Sequence, residues 1–251
     1  MDIRAFIDEL DRLLGKDMAN EARELLEEGL SEAEAEGDRE AMLTVLNEMS
    51  GFYRINGDKV KGIDAAERAL LLLKDLRLTE SVTGATTLLN SATTFKAFGM
   101  AAKSLPYYRE AERIYERFLQ KGDYRFAGLY NNMAMALMDE GFYEDSEICF
   151  KKALSVLDGL SGAFAEKAMT YVNMAMLKDA AGMGEMEITA CLMRAMELFN
   201  DERAERNAYY AFCCRKSAPT FGYYGFFEAK AELTERADRI YSDMRGIEID
   251  K

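Results

Sequence analysis

Apolar residues recur along this chain at intervals of three and four, the period of helices that bury one face. The stretch NNMAMALMDEGFYEDSEICFKKAL (131–154) shows the unit: two asparagines, an apolar run, one glycine, then a second amphipathic run. Extended over the sequence, the pattern predicts helices at 2–14, 17–36, 38–56, 59–77, 80–98, 103–120, 123–140, 143–158, 162–181, 185–200, 202–217 and 226–244. There are two prolines, Pro106 and Pro219. Pro106 is expected in the first turn of its helix, after Ser104 as a cap, where proline is tolerated. Pro219 is expected to end the eleventh helix and lengthen the last turn.

The pattern repeats. Steps of 42 from Gly141 meet Gly15, Gly57, Gly99, Met183 and Gly225, and Gly182 and Gly184 flank the one miss. The same step from Ala153 meets Ala69, Ala111, Ala195 and Ala237, with Glu27 breaking the column in the first unit. From Val156 it meets Leu30, Leu72, Ile114, Leu198 and Ile240, all aliphatic. Three columns in one register define helix hairpins closed by glycine, a residue that enters the left-handed conformation cheaply. One such hairpin cannot bury its apolar face alone, and stacked neighbours can. The expected architecture is all-α, a single right-handed solenoid over 1–251. Its units run 1–36, 37–78, 79–121, 122–160, 161–201 and 202–251, the first and last being degenerate caps. Six units of about 42 residues would fill the 251, leaving no space for a separate catalytic or DNA-binding domain.

Within the central units the columns resemble the tetratricopeptide repeat. The small, large, glycine, small, small positions are Ser50, Tyr53, Gly57, Gly62 and Ala69; then Ala92, Phe95, Gly99, Ser104 and Ala111; then Ala134, Leu137, Gly141, Ser146 and Ala153. The fifth unit is shifted by about a residue, at Asn173, Ala175 and Gly182. The long period is similar to the kinesin light chain type of repeat, which favours Asn-Asn-x-Ala in its first helix, as in Asn131-Asn132-Met133-Ala134. The resemblance implies that the first helices of successive units line a concave groove that binds protein or peptide. That family's carboxylate clamp uses basic residues at places that here hold Thr44, Thr86, Gly128 and Thr170, with Gly51 and Thr93 further along, so a clamp of that kind is not expected.

Groove candidates follow from this register. Asn47, Asn90, Asn131, Asn132 and Asn173 lie within a residue of one column, with Thr93 and Met135 beside them. An amide both donates and accepts, so a ladder of asparagines could grip an extended backbone; the competing reading is that each ties adjacent helices together. Arg12, Arg54 and Lys96 recur at the same step, two helical turns further on, and could hold a carboxylate; the competing and favoured reading is a solvated edge with local ion pairs. Methionines would give a groove adaptable pockets, or simply fill the core.

Charge narrows the partner. The net charge is −13, from 45 acidic and 32 basic residues, which opposes nucleic acid and anionic membrane surfaces. No apolar run reaches the ~20 residues of a membrane span, and the start MDIRAFIDELDRLLG lacks the pattern of a signal peptide. The cysteines Cys149, Cys191, Cys213 and Cys214 show no disulfide spacing, which fits a reducing, cytoplasmic setting. The chain has no histidine, so the usual nucleophile triads and histidine metal sites are excluded, and neither a catalytic residue, a metal nor a cofactor is expected. Glu28, Glu32 and Glu36 share one helix face, read as solvated.

The segment 209–230 concentrates aromatics: Tyr209, Tyr210, Phe212, Phe221, Tyr223, Tyr224, Phe226 and Phe227. They predict either a large local core around the Pro219 turn or a docking surface for a partner or a second copy, the latter giving a homo-oligomer. The expected function is a non-enzymatic protein- or peptide-binding scaffold. A peptide- or small-ligand-responsive sensor acting on a protein partner is the alternative.

Overall fold

A computed structural model describes residues 1–246, and the regular structure among them is helical. The helices are α1 (Ile3–Gly15), α2 (Ala19–Glu36), α3 (Arg39–Ile55), α4 (Lys59–Asp75), α5 (Val82–Ala97), α6 (Ala101–Phe118), α7 (Arg125–Asp139), α8 (Tyr143–Asp158), α9 (Phe164–Ala180), α10 (Glu185–Asn200), α11 (Ala208–Tyr223) and α12 (Phe227–Arg245). They pair as six antiparallel hairpins, and successive hairpins stack. The end of the expected last unit, 247–251, lies outside the described residues.

Each hairpin closes the same way. One residue is left-handed: Asp17, Gly57, Gly99, Gly141, Gly182 and Gly225 in turn. The next amide then reaches back over the turn to a helix carbonyl: Met18 to Leu13 at 3.0 Å, and Asp58 to Tyr53, Met100 to Phe95, Phe142 to Leu137, Met183 to Lys178 and Phe226 to Phe221, each at 2.9 Å. This satisfies carbonyls that the helix end leaves open. The glycine column is therefore a column of turns, with two corrections. Gly15 ends α1 while Asp17 makes the turn, and Gly182 replaces Met183 because the fifth unit is one residue short.

Burial explains the other columns. Ala69, Ala111, Ala153, Ala195 and Ala237 are fully buried, where a larger side chain would push two helices apart. The residues whose carbonyls accept the turn bonds, Leu13, Tyr53, Phe95, Leu137 and Phe221, are buried too. The fifth is Lys178, half-buried and paired with Glu147 at 3.0 Å. A β-carbon on Gly62 would lie 2.9 Å from Phe98 Cε2, so the ring fits only because glycine is there.

Both prolines sit deeper in their helices than expected. α6 begins at Ala101, so Pro106 is in its second turn; Ser104 is a buried interior residue whose Oγ donates to the Ala101 carbonyl at 2.7 Å rather than a cap. α11 does not end before Pro219 but continues to Tyr223. It also starts later than expected, at Ala208, because Asn207 caps it by accepting from the Tyr210 amide at 3.0 Å.

Odd-numbered helices from α3 to α11 touch their odd-numbered neighbours, and even-numbered helices do not meet one another to the same extent. The odd helices therefore form the inner wall of a curved stack. The curvature brings its ends together. Arg215 of α11 bonds Asp17, at the tip of the first hairpin, at 3.0 Å. A β-carbon placed on Gly15 would lie 3.5 Å from Met244 Cε and 3.9 Å from Ala208 Cβ.

Candidate functional site

The inner wall carries the expected asparagines in two adjoining rows, some tied to a neighbouring helix and some free of such a bond among the described residues. Counting back ten residues from the closing amides of the second to fifth hairpins gives Glu48, Asn90, Asn132 and Asn173; counting back eleven gives Asn47, Leu89, Asn131 and Val172. Asn47 donates its amide to Thr87 Oγ1 at 2.9 Å, and its Oδ1 is sealed without a partner. Asn173 donates to Asn131 Oδ1 at 3.2 Å. These three hold α3 to α5 and α7 to α9. Asn90 and Asn132 are half-buried, and their amides have no partner among the described residues. Glu48, unread in the sequence, occupies the same row one repeat before Asn90. Burial raises its carboxyl above the usual range, and Asp11 adds to the effect by repulsion.

The basic row is similarly divided. Arg12 makes a two-point contact with Glu9, at 2.7 and 2.6 Å. Lys96 pairs with Asp139 at 3.3 Å. Arg54 has no ion pair among the described residues, and its Nε is buried with no acceptor. Burial pulls its guanidinium below the usual value, with Tyr108 opposing. Thr93 accepts from the Tyr108 hydroxyl at 3.1 Å and donates to the Leu89 carbonyl at 2.8 Å, so it serves the fold. Met135 is half-buried on the same wall.

The wall changes character along the stack. At the position of Gly51 and Thr93, later units carry Met135, Met176 and Pro219; at that of Arg54 and Lys96 they carry Met138, Asp179 and Gly222. An open recess of about 520 Å³ lies at this apolar end, lined by Met138, Met176, Asp179, Ala180, Pro219, Thr220, Tyr223 and Tyr224. The Tyr224 hydroxyl donates to Asp179 at 3.0 Å. A smaller recess of about 320 Å³ lies between α2, α3 and α4, and its carboxylate Glu27 is already held by Tyr53 and Lys61 at 2.8 and 2.7 Å.

The C-terminal aromatics sort into core and surface. Tyr210 and Phe221 are 1% exposed and belong to the core, which corrects their reading as interface residues. Phe212, Tyr224 and Phe226 are half-buried, while Tyr209, Tyr223 and Phe227 stand exposed. Their spacing could have told them apart: Phe221 falls in the buried column of Leu137, and Phe227 follows the turn.

Burial raises the Cys214 thiol to about 12 and Cys149 to about 11, and raises Cys213 as well. These thiols are protonated near neutrality and unfit as nucleophiles. Among the described residues, no group of three or more Cys, Asp or Glu is placed to hold a metal ion, and no helix is long and apolar enough to cross a membrane.

No protein-family model matches the chain, and no curated protein matches it in sequence. Solved structures match in fold. BtubC (BKLC) from P. vanneervenii is similar at 19% identity and TM-score 0.56, over 96% of this chain and 94% of that one. TPR-like repeats of a Podosopora anserina protein described as a kinesin light chain are similar at 13% identity and TM-score 0.55, over 81% and 96%. A single-residue variant of those repeats gives 14% identity and TM-score 0.56, over the same shares. The fold is a TPR-like all-α solenoid.

Proposed function

We propose that the chain binds an extended peptide or protein segment along its inner wall and acts as a non-enzymatic scaffold. The free amides of Asn90 and Asn132, one repeat apart in one row, carry this reading. Each offers a donor and an acceptor, the pair that a peptide backbone needs. Arg54, on the inner helix α3, adds a cation with no ion pair among the described residues, suited to a carboxylate on the bound segment. The lack of histidine and the protonated thiols speak for binding rather than catalysis. Four free cysteines, three of them buried, fit work in the cytoplasm.

Cross-linked capture from native-host lysate tests this, comparing wild type with an Asn90→Ala, Asn132→Ala chain of unchanged circular dichroism. A protein captured by wild type should be lost from the variant, and its binding segment, made as a peptide, should bind wild type at least about tenfold more tightly, a difference of about 1.4 kcal/mol. Equal binding to both would move the site off this wall. A peptide-responsive sensor is the second reading, favoured by the contact between the stack's two ends. Peptide addition should then change the radius measured by X-ray scattering, whereas a passive scaffold should bind without changing it.

A further inference from the structure

The closed ends of the last three hairpins combine exposed apolar side chains with acidic ones, whereas the first two carry exposed Leu14, Ile55 and Val60. Met186 is 82% exposed, Tyr223 77%, Phe227 69%, Phe142 52% and Met183 44%. Isolated exposed apolar side chains are ordinary; several on adjoining tips are not. The 520 Å³ recess opens beside them, since Met138, Asp179 and Tyr223 line it and lie four residues before Phe142, Met183 and Phe227. Its methionines can adapt to an inserted side chain.

Charge follows the same boundary. Residues 138–146, 179–187 and 222–230, four either side of each closing amide, contain eight carboxylates and one basic residue, Lys230. The same windows in the first three hairpins, 14–22, 54–62 and 96–104, contain six basic residues and three acidic ones. The stem of Lys230 covers Gly222, and Lys178, just outside its window, is already paired with Glu147. Glu140, Glu144, Asp145, Glu185, Glu187 and Glu228 have no ion-pair partner among the described residues. A second copy presenting this edge would set carboxylates against carboxylates.

We propose that this edge and its recess dock a partner segment in which apolar side chains alternate with lysine or arginine. The apolar side chains enter the recess and cover Tyr223, Phe227 and Met186, and the basic ones meet the surrounding carboxylates. Attraction of this kind speeds association and weakens as salt is added. The recess is the apolar end of the inner wall, but the docking proposed here does not rest on Asn90 or Asn132, and the two readings can fail independently.

The test is fluorescence anisotropy on the full chain, with a synthetic amphipathic peptide of Leu, Phe and Lys as probe and its Lys→Glu counterpart as control. The lysine peptide is expected to bind at least about tenfold more tightly than the glutamate peptide. Tyr223→Ser with Phe227→Ser, and separately Glu140→Lys with Glu187→Lys, should each weaken it by about tenfold or more. Glu24→Lys with Glu28→Lys makes the same charge change on α2 and should leave binding nearly unaltered. Equal weakening by the two charge variants would overturn the proposal in favour of diffuse acidity. Loss of binding in Asn90→Ala, Asn132→Ala with none in the edge variants would place the peptide on the asparagine stretch of the inner wall and overturn the proposal. Failure of the lysine peptide to bind would remove the edge site and leave the inner-wall reading to its own experiment. Sedimentation of the unliganded chain adds one more outcome: a dimer that Tyr223→Ser, Phe227→Ser dissolves would mean that a second copy covers the edge, and would overturn the proposal.

Discussion

Two glycines in helices of the inner wall should respond to alanine with opposite signs. A β-carbon on Gly84 would lie 2.3 Å from the Leu78 carbonyl oxygen and 2.9 Å from that of Thr79, and backbone cannot swing aside as a side chain can. Gly84→Ala should cost about 1–3 kcal/mol or more, the range for forced overpacking. Gly128 faces open space, so Gly128→Ala should instead stabilise by roughly 0.5–1 kcal/mol through the entropy glycine loses on folding. Urea unfolding of both variants checks the pair. Glu48 makes a third residue-scale case. Its folded-state pKa is raised, so the native state holds more protons than the unfolded chain between the usual carboxylate pKa and the raised value, and stability falls as pH rises through that window. Glu48→Gln should flatten this slope and raise the urea midpoint at pH 7. A midpoint that falls would show the charge to be held by a favourable contact. The asparagine column was legible in the sequence, but its division into structural and free amides was not. That depends on which neighbour faces each amide: Thr87 for Asn47 and Asn131 for Asn173. Glu48 escaped notice because its residue type differs, although its position is that of Asn90.

At the scale of elements, glycine and proline were unequal guides. The turn glycines could be read because a positive φ is a local demand that few other residues meet. Proline's effect depends on what surrounds it. Pro219 removes one helix hydrogen bond and crowds the carbonyl of Arg215, a penalty of about 3 kcal/mol. Yet Ala218 and Phe221 on either side are buried, and one fully buried aromatic contributes about 1.5–3 kcal/mol, so the helix continues through the proline. The end of α10 shows another tertiary effect invisible to periodicity. The Phe199 carbonyl accepts from Arg206 at 2.6 Å, the Tyr210 hydroxyl at 2.9 Å and Arg236 at 3.1 Å, tying α10, α11 and α12 together. Arg236 also donates to the Tyr210 hydroxyl at 3.0 Å. Tyr210→Phe keeps the buried ring but removes this link, and should cost about 1–2 kcal/mol, near the upper range for one buried hydrogen bond. Thermal unfolding checks it; an unchanged midpoint would show the two arginines to be sufficient.

The stack as a whole returns on itself, and the contact that closes it is slight. Arg215 lies between Asp17 at 3.0 Å and Asp238 at 3.3 Å, with its guanidinium 4.3 Å from the centre of the Tyr241 ring. Both Arg215 and Asp17 are partly exposed, and an ion pair of that kind contributes about 0–1 kcal/mol. Curvature in a solenoid comes mainly from the small rotation between neighbours, each of which is packed through a continuous core. The closure should therefore open without unfolding. Arg215→Glu sets a carboxylate against Asp17 and Asp238, and is expected to increase the radius of gyration by X-ray scattering while helicity stays constant. Adding Asp17→Arg to the same chain restores an opposite-charge pair and should bring the radius back toward wild type. High salt should mimic the first variant weakly, since screening acts on exposed pairs. An equal radius in all three chains would mean that hairpin stacking alone fixes the curvature, and that Asp17 and Arg215 meet only because the stack delivers them to the same place.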